Sequence, residues 1–283
     1  TWSLGRIRSS HDGIHQLRAP NSSIVAGTRS MRTRVASRNT ATLNPTPKTL
    51  VTRASSSRKL PKTTTMIAAA AEMEKLLKSP EERIIALGTG RALRACVEQL
   101  SPMDCPQHRI VSLLGNMMSD GAATAYNVVI RMADRVNARH YPMPLPVYAR
   151  SAEEKRILHS QEPVHNILEL IRQADVTFVG IGNMDMNAPL LIDGFLTRED
   201  IRAFTRAGAV GEITGWSYDD SGGYLQTGAN ARIAGVRLER VAEKLIVAIA
   251  AGAKKRPAIK AALKGGLVNG LITDELTAEA LLA

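Results

Sequence analysis

The chain has 283 residues, 44% hydrophobic and 22% charged, the composition of a soluble globular protein with one large or two modest domains and a sizeable core. Its net charge of +11 is uneven: the first 65 residues hold 12 Lys/Arg and one acid, Asp12, and removing them leaves 25 basic against 25 acidic residues, so the body carries no broad basic field for nucleic acid. No apolar run reaches the roughly 18 residues that span a bilayer and no charged-then-apolar signal opens the chain, so a cytoplasmic protein is expected.

Residues 1–65 are rich in Ser, Thr, Arg and Ala, with prolines at Pro20, Pro45, Pro47 and Pro61 and no sustained period of 2 or 3.6, and they read as a basic, low-complexity, disordered segment without a helix-turn-helix. Three readings stay open for it: a tail that binds phosphate backbones non-specifically, an acid-poor stretch resembling an organelle transit peptide, or a stretch with no native role. From Met66 the character changes, and residues 66–283 read as the folded domain. Met66 to Lys78 predicts a helix, which Ser79-Pro80 ends.

Arg83 to Gly88 then predicts a buried strand that runs into Gly88-Thr89-Gly90, after which Ala92, Leu93, Cys96, Val97 and Leu100 fall at helical spacing. The glycines let backbone N–H groups approach a ligand, and the positive end of the new helix suits an anion. A glycine turn of this kind also serves simply to reverse the chain. The two cysteines, Cys96 and Cys105, form no CxxC and have no neighbouring His cluster, so neither a disulfide framework nor a metal site is indicated, and no cofactor is called for.

Further along, Arg109 to Leu114 predicts a second strand ending at Gly115-Asn116, and a helix is expected over Ala122 to Val136. The Pro-rich Tyr141 to Tyr148 crosses over in extended form, Glu162 to Gln173 predicts a helix, and its His165 reads as an ordinary surface or packing residue. Asp175 to Gly182 is a third β-rich run, opening a loop at Gly180-Ile181-Gly182-Asn183, and Thr197 with an acid three positions on predicts the cap of a helix over Glu199 to Arg206. The glycine-dense Gly208 to Gly223 predicts a hairpin presenting Glu212, with Asp219-Asp220-Ser221-Gly222 as its tip. Lys244 to Gly252 predicts a fourth strand followed by Lys254-Lys255, Pro257 begins a helix through Lys264, Leu267 to Thr273 closes the sheet, and Thr273 or Asp274 caps the last helix. Several strands thus end in glycine at one edge of an α/β sheet, the edge where ligands bind.

The order of these motifs resembles the C-terminal sugar-binding domain of SorC/DeoR-type bacterial transcriptional regulators. The likeness rests on G-x-G-R-A-L at Gly88 to Leu93, D-V-x-x-V-G-I-G at Asp175 to Gly182, G-A-V-G-E-I at Gly208 to Ile213, A-G-x-x-K-x-x-A-I at Ala251 to Ile259 and L-I-T-D-E at Leu271 to Glu275. It implies a Rossmann-like, mostly parallel sheet with helices on both faces, akin to ribose-5-phosphate isomerase and glucosamine-6-phosphate deaminase. It also implies a homo-oligomer that binds a sugar, polyol or sugar phosphate and so modulates the affinity of a helix-turn-helix for operator DNA. Carried over by position, Gly88, Thr89, Gly90, Arg91 and Ala92 form the phosphate-cradling turn, Gly115 and Asn116 the second loop, and Gly182 and Asn183 the third. Glu212 then accepts from sugar hydroxyls and Lys255 faces the phosphate. Some relatives carry consecutive hydroxyl residues where this chain has Arg91-Ala92. The rival reading is a sugar-phosphate isomerase or deaminase, whose base would come from Asp185, Glu212, Asp219 or Asp220; the regulator reading, without catalysis, is the one expected.

Overall fold

The computed structural model describes residues 15–19, 22–26, 61–226, 228–239 and 244–283, and most of the basic segment called from the sequence lies outside these. Within it, β1 (His15–Ala19) and β2 (Ser22–Ala26) pair antiparallel. Helix α1 (Pro61–Leu77) starts before Met66; proline suits a first helical turn because it has no N–H to leave unpaired.

The body follows in α/β alternation: β3 (Ile84–Leu87), α2 (Arg91–Glu98), β4 (Arg109–Met117), α3 (Val128–Val136), β5 (Arg139–Pro146), α4 (Ala152–His159), α5 (Glu162–Arg172) and β6 (Val176–Gly180). Then come β7 (Gly182–Asn183), α6 (Pro189–Ile192), α7 (Arg198–Arg206), β8 (Gly211–Ile213), β9 (Trp216–Tyr218) and α8 (Gly228–Arg232). The chain ends with β10 (Leu245–Ile249), a 3-10 turn (Ala253–Lys255), α9 (Arg256–Lys264), β11 (Gly270–Ile272) and α10 (Glu275–Leu282).

The sheet order is β1-β2-β11-β10-β6-β3-β4-β5, and every pairing from β2 to β5 is parallel. Counting only the strands from β3 onward, the chain starts in the middle, winds outward through β4 and β5, then returns to β6 and winds the other way through β10 and β11. That is the doubly wound order, and its reversal leaves a crevice at the carboxyl ends of β3 and β6.

Alternation along each strand divides the core between the two faces, as a pleated strand buried on both sides requires. Ile85, Leu87, Ile110, Phe178, Val247 and Ile249 pack with Met73, Leu77, Leu93, Val97, Val129 and Met132 of α1, α2 and α3. Their neighbours Ile84, Ala86, Val111, Val179, Ile246 and Ala248 pack on the other side with Val164, Ile167, Ile259, Ala262 and Leu281 of α5, α9 and α10. A third cluster of Met184, Leu190, Leu196, Ile201 and Phe204 holds α6 and α7 beside the small antiparallel sheet β7-β8-β9.

Four local readings change. The helix expected from Ala122 begins at Val128, and residues 118–127 instead form a loop whose backbone ties Met118 N–H to Ala122 and Thr124 N–H to Asn116. Strand β4 continues past Gly115-Asn116 to Met117, because the Pro-rich extended stretch is itself the edge strand β5 and pairs Gly115 with Met143; proline is tolerated at an edge, where no partner needs its missing N–H. The hairpin tip is Thr214-Gly215, both with positive φ (52° and 85°), the two-residue turn whose twist matches its strands. The expected tip is a second turn, in which Asp219 accepts from Ser221 N–H (2.9 Å) and Gly223 N–H (2.8 Å).

Candidate functional site

The crevice between β3 and β6 gathers the candidate residues in two groups. On the β4 side, Gly88, Thr89, Gly115 and Asn116 line a shallow, open cleft together with Ser112, Thr124, Asn127 and the first turn of α3. Gly88 donates its N–H to Phe178 at 2.8 Å, which clamps the glycine turn against β6 at the point of reversal. Gly90 has a φ of 112°, a conformation L side chains rarely adopt, so glycine lets the chain leave β3 and enter α2 directly. Gly115 allows close approach: a Cβ there would lie 2.3 Å from the Leu145 carbonyl oxygen.

On the other side, Gly182 sits opposite Glu212 in the β7–β8 pairing. A Cβ on Gly182 would come within 2.1 Å of Glu212 Oε1, so this glycine makes room for the carboxylate. Glu212 Oε2 accepts from Gly215 N–H at 2.9 Å. Part of the residue reaches solvent, yet protein surrounds the carboxylate deeply enough that burial pushes its pKa up; the Gly215 hydrogen bond and the Lys255 charge oppose the shift, and Asp193 adds to it. Lys255 ends the 3-10 turn after β10 and donates from Nζ to the Ile181 carbonyl at 2.6 Å, which brings it across the crevice mouth to the β6–β7 junction.

The remaining candidates divide by what their side chains do. Ala92 packs against the α1–α2 core, so only its backbone can face the crevice. Asn183 is buried and donates from Nδ2 to Asp185 Oδ1 at 2.8 Å. Arg91 forms an ion pair with Asp193, which follows α6, and its guanidinium lies 5.9 Å from the centre of the Tyr126 ring. Tyr126 Oη donates to the other Asp193 oxygen at 2.6 Å, and burial together with that bond pushes its pKa up to about 12. Asp193 therefore fastens the α6 segment to both the glycine turn and the loop after β4.

Asp193, Tyr126, Thr124 and Asn127 were not singled out by the sequence. Asp193 reaches Arg91 across 102 positions of chain, and the other three lie in a stretch whose apolar spacing resembled a helix. Asn127 offered the one usable signal: it precedes α3 in the left-handed region (φ 43°), which Asn tolerates better than most residues, and its side chain makes no cap hydrogen bond. Of the carboxylates weighed as catalytic bases, Asp219 is held in its own turn, and its bond from Ser221 depresses its pKa. Asp185 accepts from Asn183 and from Asn187 N–H at 2.6 Å.

With this geometry in view, the comparisons are specific. Residues 47–283 match the family model of a sugar-binding domain, Sugar-bind. The chain is 33% identical over 210 residues to the erythritol catabolism regulatory protein EryD of Brucella abortus, covering 74% of this chain and 66% of that protein. It is 32% identical over 206 residues to the transcriptional regulator LsrR of Enterobacter sp. strain 638, covering 71% and 62%. The match thus spans less than two thirds of the length of these curated relatives. In fold it is similar to the full-length sorbitol operon regulator SorC of Klebsiella pneumoniae, with a TM-score of 0.72 at 23% identity over 83% of this chain and 76% of that one. The chain belongs to the sugar-binding domain family of the SorC/DeoR-type transcriptional regulators.

Proposed function

We propose that this chain is the effector-binding domain of a sugar-responsive transcriptional regulator and that its ligand, a sugar, polyol or sugar phosphate, binds in the crevice between β3 and β6. The observation that carries the reading is the meeting, beside the topological reversal, of a glycine turn, a carboxylate raised in pKa by burial and a lysine, supplied by three separate segments. Backbone donors at Thr89 to Ala92 and amide or hydroxyl groups at Asn116 and Thr89 suit ligand oxygens. Glu212 suits ligand hydroxyl donors, and Lys255 suits an oxygen or anion. Gly182 and Asn183 shape the floor under Glu212.

Regulation follows by linkage: a ligand that prefers one arrangement of a homo-oligomer shifts its population, and operator affinity changes with it. Because the match covers only part of each curated relative, the DNA-binding element in this reading lies outside the domain, and the whole regulator works in the cytoplasm beside its operator. Two of the carboxylates weighed for proton abstraction, Asp185 and Asp219, are occupied by loop and turn hydrogen bonds, which favours binding over turnover.

Thermal unfolding against a panel of sugars, polyols and sugar phosphates, with each hit assayed for turnover, tests the proposal. A ligand at a hundred times its Kd adds about 2.7 kcal/mol to stability, and the midpoint rises by roughly 2–4 °C per kcal/mol for a domain of this size. Lys255→Ala and Glu212→Ala are each expected to weaken binding of the hit by about 2–5 kcal/mol while the domain stays folded. Unchanged affinity in both variants refutes the site, and turnover of the hit refutes the non-catalytic reading.

A further inference from the structure

Resting on that reading, we propose that the crevice selects an uncharged, hydroxylated ligand, and that Asp193 acts as a built-in counter-anion that keeps Arg91 from recruiting a phosphate.

Three observations carry this. First, the basic side chain on the glycine turn itself, Arg91, is already paired: Asp193 holds its guanidinium through one carboxylate oxygen and takes the Tyr126 hydroxyl on the other at 2.6 Å. A carboxylate thus stands beside the amino end of α2, where an anionic ligand group would be expected. Second, the cleft that opens from this turn toward β4 is lined, among the described residues, by no charged side chain; its polar groups are Thr89, Ser112, Asn116, Thr124 and Asn127. Hydroxyls and amides both donate and accept, which matches sugar hydroxyls and offers no net charge to a dianion. Third, across the crevice the Lys255 ammonium is bonded to the Ile181 carbonyl and lies in the field of Glu212, so its charge is countered from within the protein.

A phosphate entering this crevice would meet two carboxylates, Asp193 and Glu212, close enough to influence one another. Like charges at that range disfavour it, whereas a hydroxyl can donate to either. Asp193 also links the glycine turn to the end of α6.

Titration calorimetry on the full chain with erythritol, ribose, ribose 5-phosphate and inorganic phosphate separates the outcomes. An uncharged member is expected to bind at least about tenfold more tightly than ribose 5-phosphate, a difference of roughly 1.4 kcal/mol. Asp193→Asn, which releases Arg91, should shift the preference towards ribose 5-phosphate over the uncharged ligand by about tenfold. Arg91→Gln, which removes the cation and leaves the fold's other contacts, should leave the uncharged ligand within about threefold. Tighter binding of the phosphate ester by the unaltered chain, or its loss in Arg91→Gln, overturns the inference while effector binding stands. No heat with any of the four, and none with the panel above, overturns both.

Discussion

Glu212, which we propose as a binding residue, is kept at some expense to the fold. Burial raises its pKa above the ordinary 4.5, so the native state holds the proton more tightly than the unfolded chain does. The stability this contributes is complete below the unfolded value and is lost as pH rises through the raised native value. Glu212→Gln keeps an acceptor for Gly215 N–H and removes the titration. The ligand-free variant should therefore melt higher than the parent near about pH 8, with the gap closing towards about pH 4, even though its effector affinity falls; stability gained where function is lost is the usual trade at such sites. Melting curves across that range check it, and a gap that does not change with pH contradicts the assignment. Glu212 and Lys255 were legible because each sits in a short block, G-A-V-G-E-I and A-G-x-x-K, whose order carries the resemblance. Asp193 was not: nothing in Leu191-Ile192-Asp193-Gly194 marks it, and its meaning comes only from two partners, Arg91 and Tyr126, brought to it by the fold.

Among the elements, β4 and β5 depend on one close approach. A methyl added to Gly115 would sit 2.3 Å and 2.5 Å from the Leu145 and Pro146 carbonyl oxygens, and backbone oxygens cannot swing away as a side-chain tip can. Gly115→Ala should destabilise the domain by about 1–3 kcal/mol, the range for overpacking, which differential scanning calorimetry would register as a drop of several degrees. An unchanged midpoint would mean that the edge strand is free to move out. Strands β3, β6 and β10 were readable because a largely apolar run of four to six residues that stops at glycine is too short for a helix and too apolar for a loop. Helix α4 was not read, since none of its residues is buried and it therefore shows no apolar stripe. It is held instead by its cap, where Ser151 accepts from Glu154 N–H at 3.0 Å. The loop before α3 was misread for the opposite reason: Ala122 and Ala125 continue the helical spacing, but Asn127 turns left-handed, and the loop places Thr124 in the cleft and Tyr126 against Asp193.

For the whole molecule, the order β5-β4-β3-β6-β10-β11 puts a reversal between β3 and β6, where the connections leave to opposite faces and part the loops, and this is where we propose that the ligand sits. The sequence supplied several of the strands and their glycine ends, and the resemblance implied a mostly parallel sheet; the strand order and the three-part closure by Arg91, Asp193 and Tyr126 required the folded chain. A second groove, between α7 and α8 and lined by Asp200, Phe204, Ala229 and Arg232, lies beside the third core cluster and tests the assignment by contrast. The most direct measurement is hydrogen–deuterium exchange of the full chain with and without the panel compound that stabilises it most. Slowed exchange is expected at residues 88–92, 115–117, 181–183, 212–215 and 252–256, with residues 200–204 and 228–232 unaffected; protection confined to that second groove, with the β3–β6 crevice unchanged, would contradict the proposed site.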